Sequence, residues 1–183
     1  MIFTATELAG AYLIEPEILN DERGSFYRFY CADEFQQIGH NKPWIQLNHS
    51  YTAKQGTIRG MHFQLPPFTE IKMVKCISGK ISDTIIDLRS ESPTFLQWIS
   101  IELSAENKRM LYIPEGFAHG FQTLTENCEL IYHHSAAYVK GSEGGIRWND
   151  PIVNIKWPLP PVNISARDQE HEFLTTQFPG IKL

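Results

Sequence analysis

Cysteine is scarce: Cys31, Cys76 and Cys128 are the only three in 183 residues, widely spaced and without a Cys-x-x-Cys. An odd, scattered set argues against a disulfide framework and points to a reducing cytoplasm, with the thiols as small core or strand residues. No apolar run exceeds a few residues, so no segment reads as a membrane span. The opening Met1-Ile2-Phe3-Thr4-Ala5-Thr6 lacks the basic start and long apolar stretch of a secretory signal. Basic residues are also in deficit. The formal charge is −5, with no basic block, which argues against nucleic acid as a partner. A few arginines focused in a cavity can still bind an anionic small molecule. No glycine-rich phosphate loop is present, so a phosphate would have to be met by arginine forks and backbone donors.

What remains is an ordinary globular composition, 42% hydrophobic and 12% aromatic, enough for one domain over residues 1–183. The pattern is strand after strand. Aromatic Ser25 to Tyr30, then Ile45 to Tyr51, Gly56 to Gln64 and Lys72 to Ser78 all read as strands. Gly79-Lys80 between Lys72–Ser78 and Ile81–Leu88 predicts a two-residue hairpin. Over Leu96 to Leu103, Trp98, Ser100 and Glu102 alternate with Ile99, Ile101 and Leu103, as in a half-buried strand. Met110 to Ile113, His119 to Leu124 and Glu129 to His134 supply three more. The best helix is short, Ala32 to Ile38, closed by Gly39. Residues 141 to 161, rich in glycine, proline and tryptophan, read as a covering loop, and Ser165-Ala166-Arg167-Asp168 as a turn. Many short strands with turn residues between them predict an all-β sandwich or barrel, the jelly roll foremost.

Two segments set a histidine in a strand punctuated by glycine: Gly56 to Gln64, holding His62, and Pro114 to Phe121, holding His119. Gly56 followed six residues on by His62, and Pro114-x-Gly116-x-x-His119, resemble the two cupin motifs. In metal-binding cupins the first motif continues as His-x-His and a glutamate. Here Gln64 takes the second histidine's place and Glu70 arrives late, a poor donor set for a metal. The reading is a cupin-type jelly roll, with a few short helices, that holds neither metal nor other cofactor.

Larger pieces then occur in order: Arg23-Gly24-x-Phe26, Gln46-x-Asn48-x-Ser50, Arg59-Gly60-Met61-His62-Phe63-Gln64, Asp87-Leu88-Arg89 with Ser92-Pro93-Thr94, Tyr112 to Phe121, Trp148-Asn149-Asp150-Pro151 and Ser165-x-x-Asp168. Together, over about residues 10 to 170, the chain resembles the dTDP-4-dehydrorhamnose 3,5-epimerase family. The resemblance implies a metal-free homodimer that inverts C3 and C5 of a dTDP-4-keto-6-deoxyhexose. It makes His62 the base, Asp168 its carboxylate partner, Lys72 the enolate stabiliser and Tyr132 the opposite-face proton donor. It also assigns Arg23, Phe26, Gln46, Asn48, Arg59, His119 and Tyr138 to substrate binding. Arg28 is the one departure: many members have glutamate there, and the exchange alters charge by two units at what the resemblance implies is a sugar or base contact.

The chemistry agrees with those residue types. A C4 ketone makes the hydrogens on C3 and C5 removable as an enolate forms. Inversion needs a base on one face and a donor on the other, histidine being the natural base near neutral pH. Without the company of the other motifs, Lys72 reads as a solvated strand end, Tyr132 as a core aromatic and Asp168 as a cap. On the strand that carries it, Leu130, Tyr132 and His134 share one face, with His133 pointing away. Rival readings are a single-carbon epimerase or ketoisomerase of another keto-deoxysugar, a metal-dependent cupin oxygenase, and a non-catalytic sugar-nucleotide binder.

Overall fold

Fourteen strands and two short helices account for the regular structure of the computed structural model, which describes residues 1–183. In chain order come β1 (Ile2–Ala5), β2 (Tyr12–Glu15), β3 (Ile18–Asp21), β4 (Gly24–Tyr27) and α1 (Ala32–Phe35). A 3₁₀ turn over Gln36–Ile38 continues α1, and Gly39 ends it at φ +75°, where glycine carries no Cβ penalty. Then follow β5 (Gln46–Thr52), β6 (Thr57–Gln64), β7 (Lys72–Ser78), β8 (Lys80–Asp87) and β9 (Trp98–Ser104). After them come β10 (Met110–Ile113), β11 (Phe117–Thr123), β12 (Cys128–His134), β13 (Glu143–Gly145), β14 (Asn163–Ile164) and α2 (Ala166–Glu170).

Two sheets carry the jelly roll. The first runs β1-β2-β10-β7-β12-β5 and the second β13-β6-β11-β8-β9, with β14 parallel to β6. Val74, Cys76, Leu111 and Leu130 of the first meet Ile81, Ile85, Phe117 and Phe121 of the second in one apolar layer. Each of the aliphatic and aromatic side chains among them contributes about 1.5–3 kcal/mol on burial. No helix is long and apolar enough to cross a membrane.

The hairpin predicted at Gly79-Lys80 does not form. β7 and β8 belong to different sheets, β7 pairing with β10 and β12, β8 with β9 and β11. A two-residue link would fold them onto each other only if they had no better partners; both are buried and already flanked. Gly79 makes the crossing at φ +74°, and a Cβ there would meet Cys128 Sγ at 2.7 Å. Cys31 is the half-buried residue ahead of α1 rather than a core or strand residue. The tail turn is a short helix, α2, whose Ser165 hydroxyl accepts from the Asp168 N–H at 3.1 Å.

The outer face of the first sheet holds a separate aromatic cluster. His40 stacks on Trp44 at 4.4 Å, and His133 packs against Phe29 and Trp44 at 5.1 and 5.8 Å. His40 Nε2 and His133 Nδ1 are buried without partners. Burial therefore holds both imidazoles below the ordinary 6.5, with His134 adding to the effect at His133. A folded-state value below the unfolded one means that the unfolded chain takes up protons first. Stability is then full above about pH 6.5 and falls as the pH drops below it. Thermal melts from pH 7.5 to 5 should show that decline, and His133→Phe should make it shallower. An unchanged slope would count against this account.

Candidate active site

Beyond the apolar layer the sandwich interior turns polar and opens into a cavity of about 750 Å³. The second sheet contributes Arg59, His62 and His119 to its wall, the first sheet Asn48, Lys72 and Tyr132, and the tail Asp168. His62 and Tyr132 thus rise from opposing sheets into one space.

His62 Nε2 lies 2.7 Å from Asp168 Oδ1. Asp168, 3% exposed, also accepts from the Gly60 N–H through Oδ2 at 3.2 Å. Burial pushes this carboxyl up, but the His62 bond and charge and the Gly60 donor outweigh it and hold it below the usual carboxylate range. Gly60 is required sterically. Its φ is +127°, and a Cβ would come 2.5 Å from Gly120 Cα on β11. Close approach of the two backbones is what sets His62 and His119 directly opposite each other in the β6–β11 register.

His119 does not stand alone. Its Nε2 is 2.7 Å from Asp83 Oδ1, and Asp83 is fully buried. Asp83 went unnoticed in the sequence, although an aspartate on the face shared by Ile81 and Ile85 was the available signal. Across the cavity the Tyr132 hydroxyl meets Ser50 Oγ at 2.9 Å. Burial raises the phenol well above its ordinary range despite the Ser50 bond, so the group stays protonated and able to donate. As the alternation along β12 predicts, Tyr132 and His134 face the cavity while His133 packs on the other side.

Lys72 is part of a chain of polar groups at the cavity mouth. Its Nζ is 3.0 Å from Glu70 Oε1, and Glu70 Oε2 is 2.7 Å from His134 Nδ1. His134 Nε2 in turn lies 3.2 Å from Asn48 Nδ2. Burial would raise Glu70, but His134 and Lys72 together hold it below the usual carboxylate range. The sequence offered Glu70 only as a misplaced metal ligand; its place is beside the lysine.

The remaining expected contacts divide in two. Arg59 lines the cavity, its Nε donating to Thr52 Oγ1 at 3.0 Å and Nη2 to the Tyr51 carbonyl at 3.1 Å. Gln46, Asn48 and Tyr138 border a recess that also touches His62 and Lys72. There Gln46 Oε1 accepts from the Tyr138 N–H at 2.9 Å, and the Tyr138 hydroxyl donates to Glu143. Arg167, not singled out in the sequence, borders both spaces. Arg23, Phe26 and Arg28, by contrast, do not reach the cavity of their own chain. They lie on or just after the β3–β4 hairpin, a two-stranded sheet apart from the other two. Arg23 pairs with Asp21, Arg28 with Glu34, and Phe26 is 71% exposed.

Comparison with known proteins gives a consistent picture. A family model described as dTDP-4-dehydrorhamnose 3,5-epimerase matches residues 5–176. The Salmonella typhimurium protein of that name is 44% identical over 170 residues, covering 92% of each chain. A crystal structure from Bacillus anthracis of the same description, with TDP and pyrophosphate bound, superposes with a TM-score of 0.91 at 38% identity. It covers 94% of this chain and 99% of the other. One from Legionella pneumophila, in complex with dTDP-4-keto-L-rhamnose, gives 0.92 at 34% identity, covering 100% and 98%.

Proposed function

Since the chain belongs to the dTDP-4-dehydrorhamnose 3,5-epimerase family, we propose that it converts dTDP-4-dehydro-6-deoxy-D-glucose to dTDP-4-dehydro-L-rhamnose by the following steps. His62 removes the proton on C3 or C5. Because Nε2 donates to Asp168, Nδ1 keeps the lone pair that receives it, and the carboxylate steadies the imidazolium. Charge moves onto the C4 oxygen, where Lys72 meets it, with His119 as a second donor. Tyr132 then delivers a proton to the opposite face of the ring. The same sequence repeats at the second carbon. What carries this reading is His62 on one sheet, held by Asp168 of the tail helix, facing a protonated Tyr132 on the other sheet, across a cavity large enough for a sugar nucleotide.

Arg59 and Arg167 are the guanidinium groups available to the diphosphate, and the recess beside Tyr138 suits the base. The β3–β4 hairpin supports a homodimer. An exposed Phe26 and Leu19 on a separate two-stranded sheet form an apolar surface that association would cover. Arg23, Phe26 and Arg28 would then serve the partner's cavity. Three unpaired thiols fit a cytoplasmic setting.

The test is incubation with the dTDP-4-keto sugar in deuterated water. Two deuterium atoms per product molecule are expected, at C3 and C5. One would favour the single-carbon epimerase, to which the Arg28 departure also bears, and none would sink the proposal. Sedimentation of the same preparation at micromolar concentration should give twice the 21.0 kDa chain mass; a monomer would overturn the dimer.

A further inference from the structure

A second imidazole crowds the carboxylate of the dyad. His171, just past α2, brings its ring edge-on to that of His62, with centroids 5.9 Å apart at 72°. Its Nε2 lies 3.9 Å from Asp168 Oδ1, the oxygen that His62 holds at 2.7 Å. That nitrogen is buried and has no hydrogen-bond partner. Room for the ring comes from Gly145, the β13 residue paired with His62. A Cβ at Gly145 would fall 2.2 Å from the His171 ring. Two imidazole nitrogens and a carboxylate oxygen therefore lie within 4.8 Å of one another.

We infer that His62, Asp168 and His171 form a capture site for a zinc-class divalent cation, and that capture switches the enzyme off. Zinc binds imidazole nitrogen and carboxylate oxygen at about 2.0–2.2 Å and accepts three protein ligands with the fourth position left open. The cation takes the place of the proton now shared by His62 and Asp168. His171 Nε2, otherwise unpaired, supplies the third bond. Magnesium and calcium, which prefer all-oxygen shells, do not suit this donor set.

Coordination acts on the tautomer of His62. A neutral imidazole bound through Nε2 carries its one proton on Nδ1. That is the nitrogen which must accept the substrate proton, so the metal-bound ring has no lone pair to offer. The loss of activity rests on the reading of His62 as the base; the site itself does not. It shares His62 with the position implied by the cupin motifs but none of that position's other donors, since His119 is committed to Asp83 and the Gln64 amide donates to the Phe68 carbonyl.

The experiment compares chelator-treated wild-type protein with His171→Ala and His171→Gln. Cobalt uptake is read by visible absorption, zinc uptake by calorimetry, and catalysis by solvent deuterium exchange into the keto sugar. One ion per wild-type chain is expected, with zinc suppressing exchange and chelator restoring it. Loss of an outer-shell partner alone costs roughly 10–100-fold in metal affinity. Losing a ligand should therefore raise the zinc needed by at least about tenfold in both variants, while their metal-free exchange persists. Equal metal binding in wild type and both variants would overturn the site. Binding that depends on His171 but leaves wild-type exchange untouched would overturn the inhibition and, with it, the assignment of His62 as base.

Discussion

His62→Asn should lower deuterium exchange into the keto sugar by roughly 10²–10⁴-fold, the range that a positioned general base supplies. Asparagine is preferable to alanine because Asp168 is buried. Truncation to a methyl group would strip that carboxylate of its side-chain donor, and removing one partner of a buried charged pair destabilises in its own right. An amide keeps a donor near Asp168 but carries no nitrogen that can accept a proton at neutral pH. A lost rate with an unaltered melting temperature would then report chemistry rather than folding. Mass spectrometry of recovered substrate is the measurement. Exchange at the wild-type rate would remove His62 from the mechanism, and Asp168 with it.

Tyr132→Phe separates the two halves of inversion. Deprotonation belongs to the opposite wall and should continue within about threefold, while product formation falls by roughly 10²-fold or more. Deuterium should still enter the substrate, because the His62 side chain is 38% exposed and its captured proton can trade with solvent before returning. It would return to the face it left, so the recovered sugar gains label with its configuration retained. The variant deletes one oxygen and leaves Ser50 Oγ without its partner, a loss of about 1 kcal/mol, too small to unfold the jelly roll. Exchange and product falling together by the same factor would show that the phenol is needed for proton removal, contrary to the assignment.

Much of this molecule was legible in its residues because strand alternation is a local property. Side chains two apart share a face, so Leu130, Tyr132 and His134 could be placed together without knowing what lay opposite. Turn glycines and the spacing of His62 and His119 gave the cupin strands for the same reason. The Gly79-Lys80 link misled because a turn signal says that the chain reverses, not which strands the two arms choose. That choice depended on β10, β11 and β12, more than 25 residues downstream.

Ordered motifs and two-residue periodicity determined the class of fold, the family and the residue types at the centre of the chemistry. Only the tertiary structure decided what each of those groups answers to. Asp83 became the partner of His119, Glu70 that of Lys72 and His134, and a histidine past the tail helix came to lie against Asp168. The pairings of Asp83 with His119, Glu70 with His134 and Asp168 with His62 join positions 36 to 106 residues apart. No local pattern encodes them, because they arise only when two sheets close over one another and the buried charges left between them must each find a counterpart.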